Sequence, residues 1–475
     1  MKLATFALLL ACLPAHARLR AGAAAADITP QEWPVRLIGN FGLTLARSAH
    51  DPLHARAIVV EDGGVRIAIA LIDSCYVKRE EMDRAKELAS KRTGIPAGRI
   101  LISATHTHSA PPSRAQANNE LEIRYVNRLV EQTADAIARA NQSLRDARMG
   151  WAILPVPEEL HNRRWFMKEG SIEPNPYGER TDRVKMNPRG GAPELLHPSG
   201  TTDPQFFVVS IQTASGKPLA MLANYSLHYV GGIPGNQVSA DYFGEFSKQV
   251  AEKLAPSDPA FVAMLTNGTS GDVNNIDFIH PRPRAEPFER IRAVAGKLAT
   301  HAARMSGEIQ YQENLPVRMS EQVLKLRFRK PTAEQLKFAR AALAEPDESK
   351  LPLRAKPYAE RAIALQEGPE FADLKLQALR IGPLGITAIP CEVFTEIGLT
   401  IKELSPLRPT FTIELANGHY GYLPTPRHYA LGGYETWLGT NNLEPEASVK
   451  ITRTILSLLE EIAGSRAERG TGAAR

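Results

Sequence analysis

Apolar residues fall into two rhythms along the chain. Short, nearly continuous apolar runs at 65–72, 206–212, 218–225, 261–265, 376–381, 384–389 and 411–415 have the length of strands covered on both faces. Longer segments place apolar residues at helical spacing, most clearly 120–140 with Leu121, Val126, Leu129, Val130, Ala134 and Ile137. The same reading predicts helices at 78–91, 239–254, 288–305, 332–343 and 446–460, and strands at 56–60, 147–155 and 319–328. Glu61-Asp62-Gly63-Gly64 and Gly382-Pro383 predict tight hairpin turns. The order strand 65–72, helix 78–91, then strand 100–102 is a βαβ pattern, which favours a mixed α/β fold with flanking helices over a sandwich. Residues 23–30 read as a small-residue lead-in. Two segments break the rhythm. Residues 159–204 are rich in Gly, Pro, Asn and Arg and predict a long functional loop, and charged 346–368 predicts a peripheral helical excursion.

Where the apolar runs end, chemistry-bearing residues begin. Ile100-Leu101-Ile102 opens into Ser103-Ala104-Thr105-His106-Thr107-His108-Ser109, and Pro111-Pro112 stops the element. In an extended backbone His106 and His108 share one side. Strand 218–225 exits into Ser226-Leu227-His228, strand 261–265 into the small polar run 266–275, and strand 384–389 into Pro390-Cys391-Glu392. A fifth exit, after 411–415, carries Asn417-Gly418-His419-Tyr420-Gly421-Tyr422. Imidazole and carboxylate suit a borderline cation such as zinc. The chain has no H-E-x-x-H helix and no cysteine ligand set. Spacing alone therefore leaves a plainer alternative open, in which His228 is a core histidine, Glu392 a helix cap and Tyr422 a packing residue.

Composition narrows the partners. Across 475 residues, 43% apolar and 23% charged residues are those of an ordinary folded protein. A formal charge of +5, from 57 basic against 52 acidic residues, with no long basic stripe, argues against a nucleic-acid partner. The start of the chain adds a destination. Met1-Lys2, an apolar run from Leu3 to Leu13 and Ala15-His16-Ala17 read as a signal peptide over residues 1–17; lipidation at Cys12 is the alternative. Either way export to the periplasm or beyond is expected. No later apolar run reaches the roughly 20 residues of a membrane span, so no transmembrane segment is expected in the mature chain. Cys75 and Cys391 either pair or are two buried thiols.

Taken together, Thr105-His106-Thr107-His108-Ser109, Asn162-Arg163, the strand ending in His228, the 266–275 loop, Pro390-Cys391-Glu392-Val393-Phe394-Thr395, Gly421-Tyr422 and Tyr434-Glu435 resemble the catalytic domain of the neutral, non-lysosomal ceramidase family. The resemblance spans nearly the whole mature chain. It implies an α/β fold with mixed β-sheets and a single zinc-dependent hydrolase domain at 18–465. The end of the chain at 466–475 is expected to be a disordered tail, and, in a departure from full-length members of the family, no C-terminal immunoglobulin-like domain is expected. By the same resemblance His106, His228, Glu392 and Tyr422 bind Zn2+. His108, Arg163 and Tyr434 act on the substrate's carbonyl, Asn274 and Tyr434 contact substrate, and Asp73, Asp241 and Asp272 are candidates to orient ligands. The implied reaction is hydrolysis of an N-acyl amide, ceramide included, by metal-activated water, with a lipid or small-molecule substrate and peripheral membrane contact. The family's serine before Pro-Asn is replaced here by Asn274, followed by Asn275, and Ser270 lies four residues earlier. That departure bears on the substrate and opens an ester, a peptide-like amide or a modified sugar as alternatives. A secreted non-catalytic binding protein is the reading outside enzymology.

Overall fold

The apolar runs are continuous because their strands bury both faces. Between Val65 and Ile72, the side chains of Ile67, Ile69 and Leu71 enter one core cluster while Ala68, Ala70 and Ile72 enter another. The structure, a computed structural model, describes residues 18–39 and 42–464; the expected signal peptide and the 466–475 tail lie outside the described residues.

Eight strands build the larger sheet: β1 (Arg20–Asp27), β2 (His54–Asp62), β3 (Val65–Ile72), β4 (Ile100–Ala104), β5 (Arg145–Pro155), β6 (Gln205–Thr213), β7 (Pro218–Tyr225) and β8 (Val262–Asn267). Their order is β8-β7-β6-β5-β1-β2-β3-β4. Pairing is antiparallel except for β3 with β4 and β7 with β8. Those two parallel pairs are the ones linked by crossover helices, α1 (Arg79–Thr93) in the first. With α2 (Glu120–Gln142), α1 covers one half of the outer face through Met82, Leu129 and Ile137. Helices α3 (Asp241–Leu254), the second crossover, and α4 (Glu289–Glu308) cover the other half through Phe246, Val250 and Leu298.

A second, four-stranded sheet, β9 (Val317–Arg327), β10 (Phe371–Ile381), β11 (Leu384–Ala388) and β12 (Thr410–Ile413), runs in sequence order. It packs face to face on the first, with Leu379, Ile386 and Phe411 against Ile69, Leu101 and Phe207. Each such side chain contributes about 1.5–3 kcal/mol on burial. Helix α5 (Ala333–Ala344) precedes the segment expected as a peripheral excursion, which holds α6 (Ala355–Glu367), and the two share a small core with Tyr177. Beyond them, α7 (Thr395–Leu404) and α9 (Ala447–Ala463) cover the outer face of the second sheet through Ile397, Ile401, Ile451 and Ile455, and α8 (Pro426–Leu431) lies between them in sequence. The result is a helix–sheet–sheet–helix stack, and no helix among the described residues is long and apolar enough to cross a membrane.

Two sequence expectations need correction. Residues 23–30 are no lead-in: β1 lies inside the larger sheet, paired with β2 and β5. Its Ala and Gly residues have weak strand preference, but their size admits α2, since a Cβ on Gly22 would stand 2.1 Å from the Ala140 carbonyl oxygen. Residues 159–204 hold a three-stranded antiparallel sheet of Arg164–Met167, Val184–Met186 and Leu195–Pro198, whose strands are too short to leave a period in the sequence. Cys75 and Cys391 are both free and buried.

Candidate metal centre

Four strand exits meet at one end of the sheets. β4 ends at Ala104: Thr105 N–H makes the last ladder bond, to the Ile72 carbonyl at the end of β3, and His106 N–H turns to the Ser74 carbonyl beyond it. His106 itself has φ 80°, a conformation that costs a non-glycine residue energy and marks a held position. The His-x-His pair therefore converges through a strained turn rather than through the pleat of an extended strand. The two rings meet edge to face at 4.7 Å, and Nε2 of His108 lies 3.2 Å from Nε2 of His106. Gly39, at φ 98°, makes room for this, since a Cβ there would lie 2.6 Å from the His108 ring.

His228 arrives from the end of β7 and sets its Nε2 2.8 Å from that of His106. Glu392 and Tyr422 face each other in register on a two-residue parallel pairing, with Glu392 N–H donating to the Gly421 carbonyl at 3.0 Å. Glu392 Oε2 is 3.4 Å from His106 Nε2 and 3.7 Å from His228 Nε2. The Tyr422 phenol interacts with both Glu392 and Arg163. His106, His228 and Glu392 are all buried, and one donor atom from each can be chosen so that all lie within 4.8 Å of one another.

The outward nitrogens of the two histidines are committed. His106 Nδ1 faces the Cys75 carbonyl at 2.7 Å, and His228 Nδ1 faces the Ser270 carbonyl at 3.1 Å. Each ring thus turns its Nε2 inward, the arrangement in which a backbone carbonyl orients a metal-binding imidazole. Two inward lone pairs 2.8 Å apart repel unless a cation sits between them. Glu392 Oε2 is buried without a hydrogen-bond donor, so it too awaits a positive partner. Electrostatics agree. Burial opposes a charge on His106, yet Cys75 and Glu392 raise it well above its ordinary value, so a proton there supplies the missing cation. Burial, then the charges of His106 and Arg163, hold His228 well below its ordinary value. Burial opposes the Glu392 carboxylate, and His106 with His419 overcomes it and keeps the group ionised. Two imidazoles, a carboxylate and a phenol form a donor set that fits a divalent ion such as zinc.

Around this centre Arg163 donates from Nε to Glu435 at 2.9 Å, places Nη1 3.4 Å from His228 Nε2, and lies over the Tyr422 ring at 5.1 Å. Tyr434 packs edge-on against Tyr422 at 5.7 Å. Tyr434, Tyr422, His106, His108 and Glu392 line a cleft of about 590 Å³. Asn274 is not among its lining residues: its side chain donates to Asn187 Oδ1 at 2.5 Å and accepts from the Ile276 amide. None of the three aspartates bonds to a proposed ligand. Asp73 pairs with Arg56, Asp241 accepts from the amides of Val230 and Gly231, and Asp272 ties Asn162 to Thr395.

The orienting work falls instead to groups sequence reasoning passed over. Glu414 accepts from Ser270 Oγ at 2.6 Å and from the Val393 amide at 2.7 Å, so it joins the loop that holds His228 to the strand that presents Glu392. Its signal was a carboxylate inside the apolar run 411–415. His419 donates toward Glu392 Oε1 at 3.1 Å and stacks on Tyr76 at 4.2 Å. A histidine at a strand exit was its signal, the same one that marks His228. Tyr229 stacks on His108 at 3.8 Å and sits beside His228 in sequence.

No protein-family model matches the sequence, and no curated protein does. Solved structures do resemble the fold. The neutral ceramidase of Pseudomonas aeruginosa superposes with a TM-score of 0.67 at 20% identity, over 94% of this chain and 74% of the other. A structure described as ceramidase complexed with C2 gives 0.68 at 19% identity, over 94% and 75%. The chain thus has an α/β fold of mixed β-sheets and flanking helices that resembles the neutral ceramidase catalytic domain.

Proposed function

We propose that the protein is an exported zinc-dependent hydrolase that cleaves an N-acyl amide bond, ceramide being one candidate substrate. The observation that carries this is the inward convergence of His106 Nε2, His228 Nε2 and Glu392 Oε2, the last without a hydrogen-bond donor, where His106 and Glu392 line an open cleft. Likeness to ceramidase structures supports the amide.

His106, His228 and Glu392, with Tyr422 beside them, would hold the ion. Zinc bound there supplies Lewis acidity, polarising a carbonyl and lowering the pKa of water. The chain's own groups do the rest. His108, at 3.2 Å from His106 and clamped by Tyr229, stands where it can pass a proton to the leaving nitrogen. Arg163, fixed by Glu435, offers a permanent positive charge to the carbonyl oxygen as that oxygen becomes anionic. Tyr434 and Leu37 wall the cleft for the acyl portion, and Leu43, 76% exposed at its rim, gives a lipid substrate an apolar approach from a membrane surface. The same residues would act on an ester or an acylated sugar. Polar Gln116 and Asn442 in the cleft wall favour a substrate with a polar leaving portion.

The test is product analysis by mass spectrometry after zinc-loaded protein meets a mixed extract of N-acyl lipids and acylated sugars. Release of free fatty acid, reduced at least a thousandfold by His106→Ala or His228→Ala, is the expected outcome on the scale of losing metal-assisted catalysis. Absence of any acyl release by metallated protein would leave the non-catalytic binding protein as the better reading.

A further inference from the structure

Three side chains in the wall of the cleft are cationic: Arg36, Lys78 and Arg361. Glu392 is the one carboxylate among its lining residues, and it is engaged by the histidines. Arg36 is answered by Glu122 in a two-point contact at 2.9 and 3.2 Å. Lys78 and Arg361 have no such partner among the described residues. The acidic neighbours of Lys78, Glu80 and Glu81, turn to Arg114 at 2.7 and 3.8 Å. Lys78 Nζ lies over the Tyr76 ring at 4.9 Å, and the Arg361 guanidinium lies over Tyr358 at 4.8 Å with Nη1 3.5 Å from the Gly439 carbonyl.

Tyr76 connects these cations to the centre. Its ring stacks on His419, which bonds Glu392; burial first, then Cys75 and Glu392, push its phenol up to about 12, with the positive charges of Arg36 and Arg361 opposing. Two cations without a carboxylate partner among the described residues therefore line the same cleft as His106 and Glu392. Desolvation by burial depresses the charge on Lys78, a cost that an anionic ligand would offset. A neutral N-acyl sphingoid base would leave both cations unanswered.

We infer that the cleft recognises a negatively charged group, a carboxylate or a phosphate, on the N-acyl substrate through Lys78 and Arg361. This rests on the reading of the cleft as an N-acyl hydrolase site. It narrows the substrate class to acylated amino acids or acylated phospho-amines and makes the two residues determinants of specificity.

The test uses zinc-loaded full-length protein and three probes: N-hexanoylglycine, its methyl ester, and N-hexanoyl-aminomethylphosphonate. Binding is measured by calorimetry, and hexanoate release is followed in the same samples. At least one anionic probe is expected to bind about tenfold or more tightly than the ester, the scale of a charge-assisted contact. Joint replacement Lys78→Gln with Arg361→Gln should erase that ratio, while Lys78→Arg with Arg361→Lys should retain it, which separates loss of charge from loss of fold. Equal binding of acid and ester, or a ratio that survives the glutamine pair because the anion sits on zinc, overturns the inference. A preserved ratio without hexanoate release removes the hydrolase reading and keeps the anion site; release without a ratio does the reverse.

Discussion

His106 Nε2, His228 Nε2 and Glu392 Oε2 form a cage of lone pairs whose shape depends on residues that never reach the cleft. Glu414 is the chief of these, because one carboxylate fixes both Ser270, against which His228 leans, and the amide next to Glu392. Replacing it by Gln keeps the volume but puts an amide donor where an acceptor is required. Glu414→Gln is expected to weaken zinc affinity about 10- to 100-fold, as loss of an outer orienting group does elsewhere, measured by competition with a metal chelator. Unchanged affinity would show that the loop and strand hold the ligands without it. At this scale the sequence marked the segments that converge on the candidate centre. His106, His228, Glu392 and Tyr422 each stand at a strand exit, and a strand exit is visible as the end of an apolar run. The orienting groups were harder to see because backbone carbonyls of Cys75 and Ser270 do the work for which aspartates were expected. A carbonyl has no residue-type signature.

Among the elements, the short helix α8 shows how a buried histidine can tie local structure to pH. Thr425 and His428 form a reciprocal cap at its start, with Nδ1 of His428 accepting from Thr425 Oγ1 at 2.7 Å. Burial first, and then Arg164 and Arg427, push His428 down to about 3. The folded value lies below the unfolded one, so the neutral ring's contribution is fully present above about 6.5 and is lost as pH falls from there toward 3. Acidification from pH 7 to 4.5 is expected to lower the thermal midpoint more in the native protein than in His428→Asn, measured by calorimetry under matched zinc. An equal drop in both would remove His428 from the acid response. Elements such as β3, α2 and the Gly382-Pro383 hairpin were legible because each carries its own period or turn chemistry. β1 was not, since Ala-Gly-Ala-Ala-Ala-Ala has no strand preference of its own and is held by pairing on both sides and by the close approach of α2.

For the whole molecule, two sheets packed between helix layers bring four chain segments, the first and last more than three hundred residues apart in sequence, to one end of the stack. His106 and His228 come from the larger sheet, while Glu392 and Tyr422 come from the segments that follow the strands of the smaller one. The mixed α/β class followed from the βαβ order, but the facing of one sheet on the other did not. Which apolar run meets which is settled by three-dimensional packing, and a continuous apolar run says only that both faces of its strand are covered. The Asn274 loop shows the same limit, because its side chain turns toward Asn187, in the region expected to be irregular, and away from the cleft lining.

All of this converges on one ion. Diffraction from crystals of the zinc-loaded protein, collected on both sides of the zinc absorption edge, is expected to give a single strong anomalous peak enclosed by His106 Nε2, His228 Nε2, Glu392 Oε2 and the Tyr422 hydroxyl, and no such peak in His106→Ala. A fully occupied zinc ion elsewhere, or an empty centre at saturating zinc with these side chains in place, would contradict the metal-centre reading.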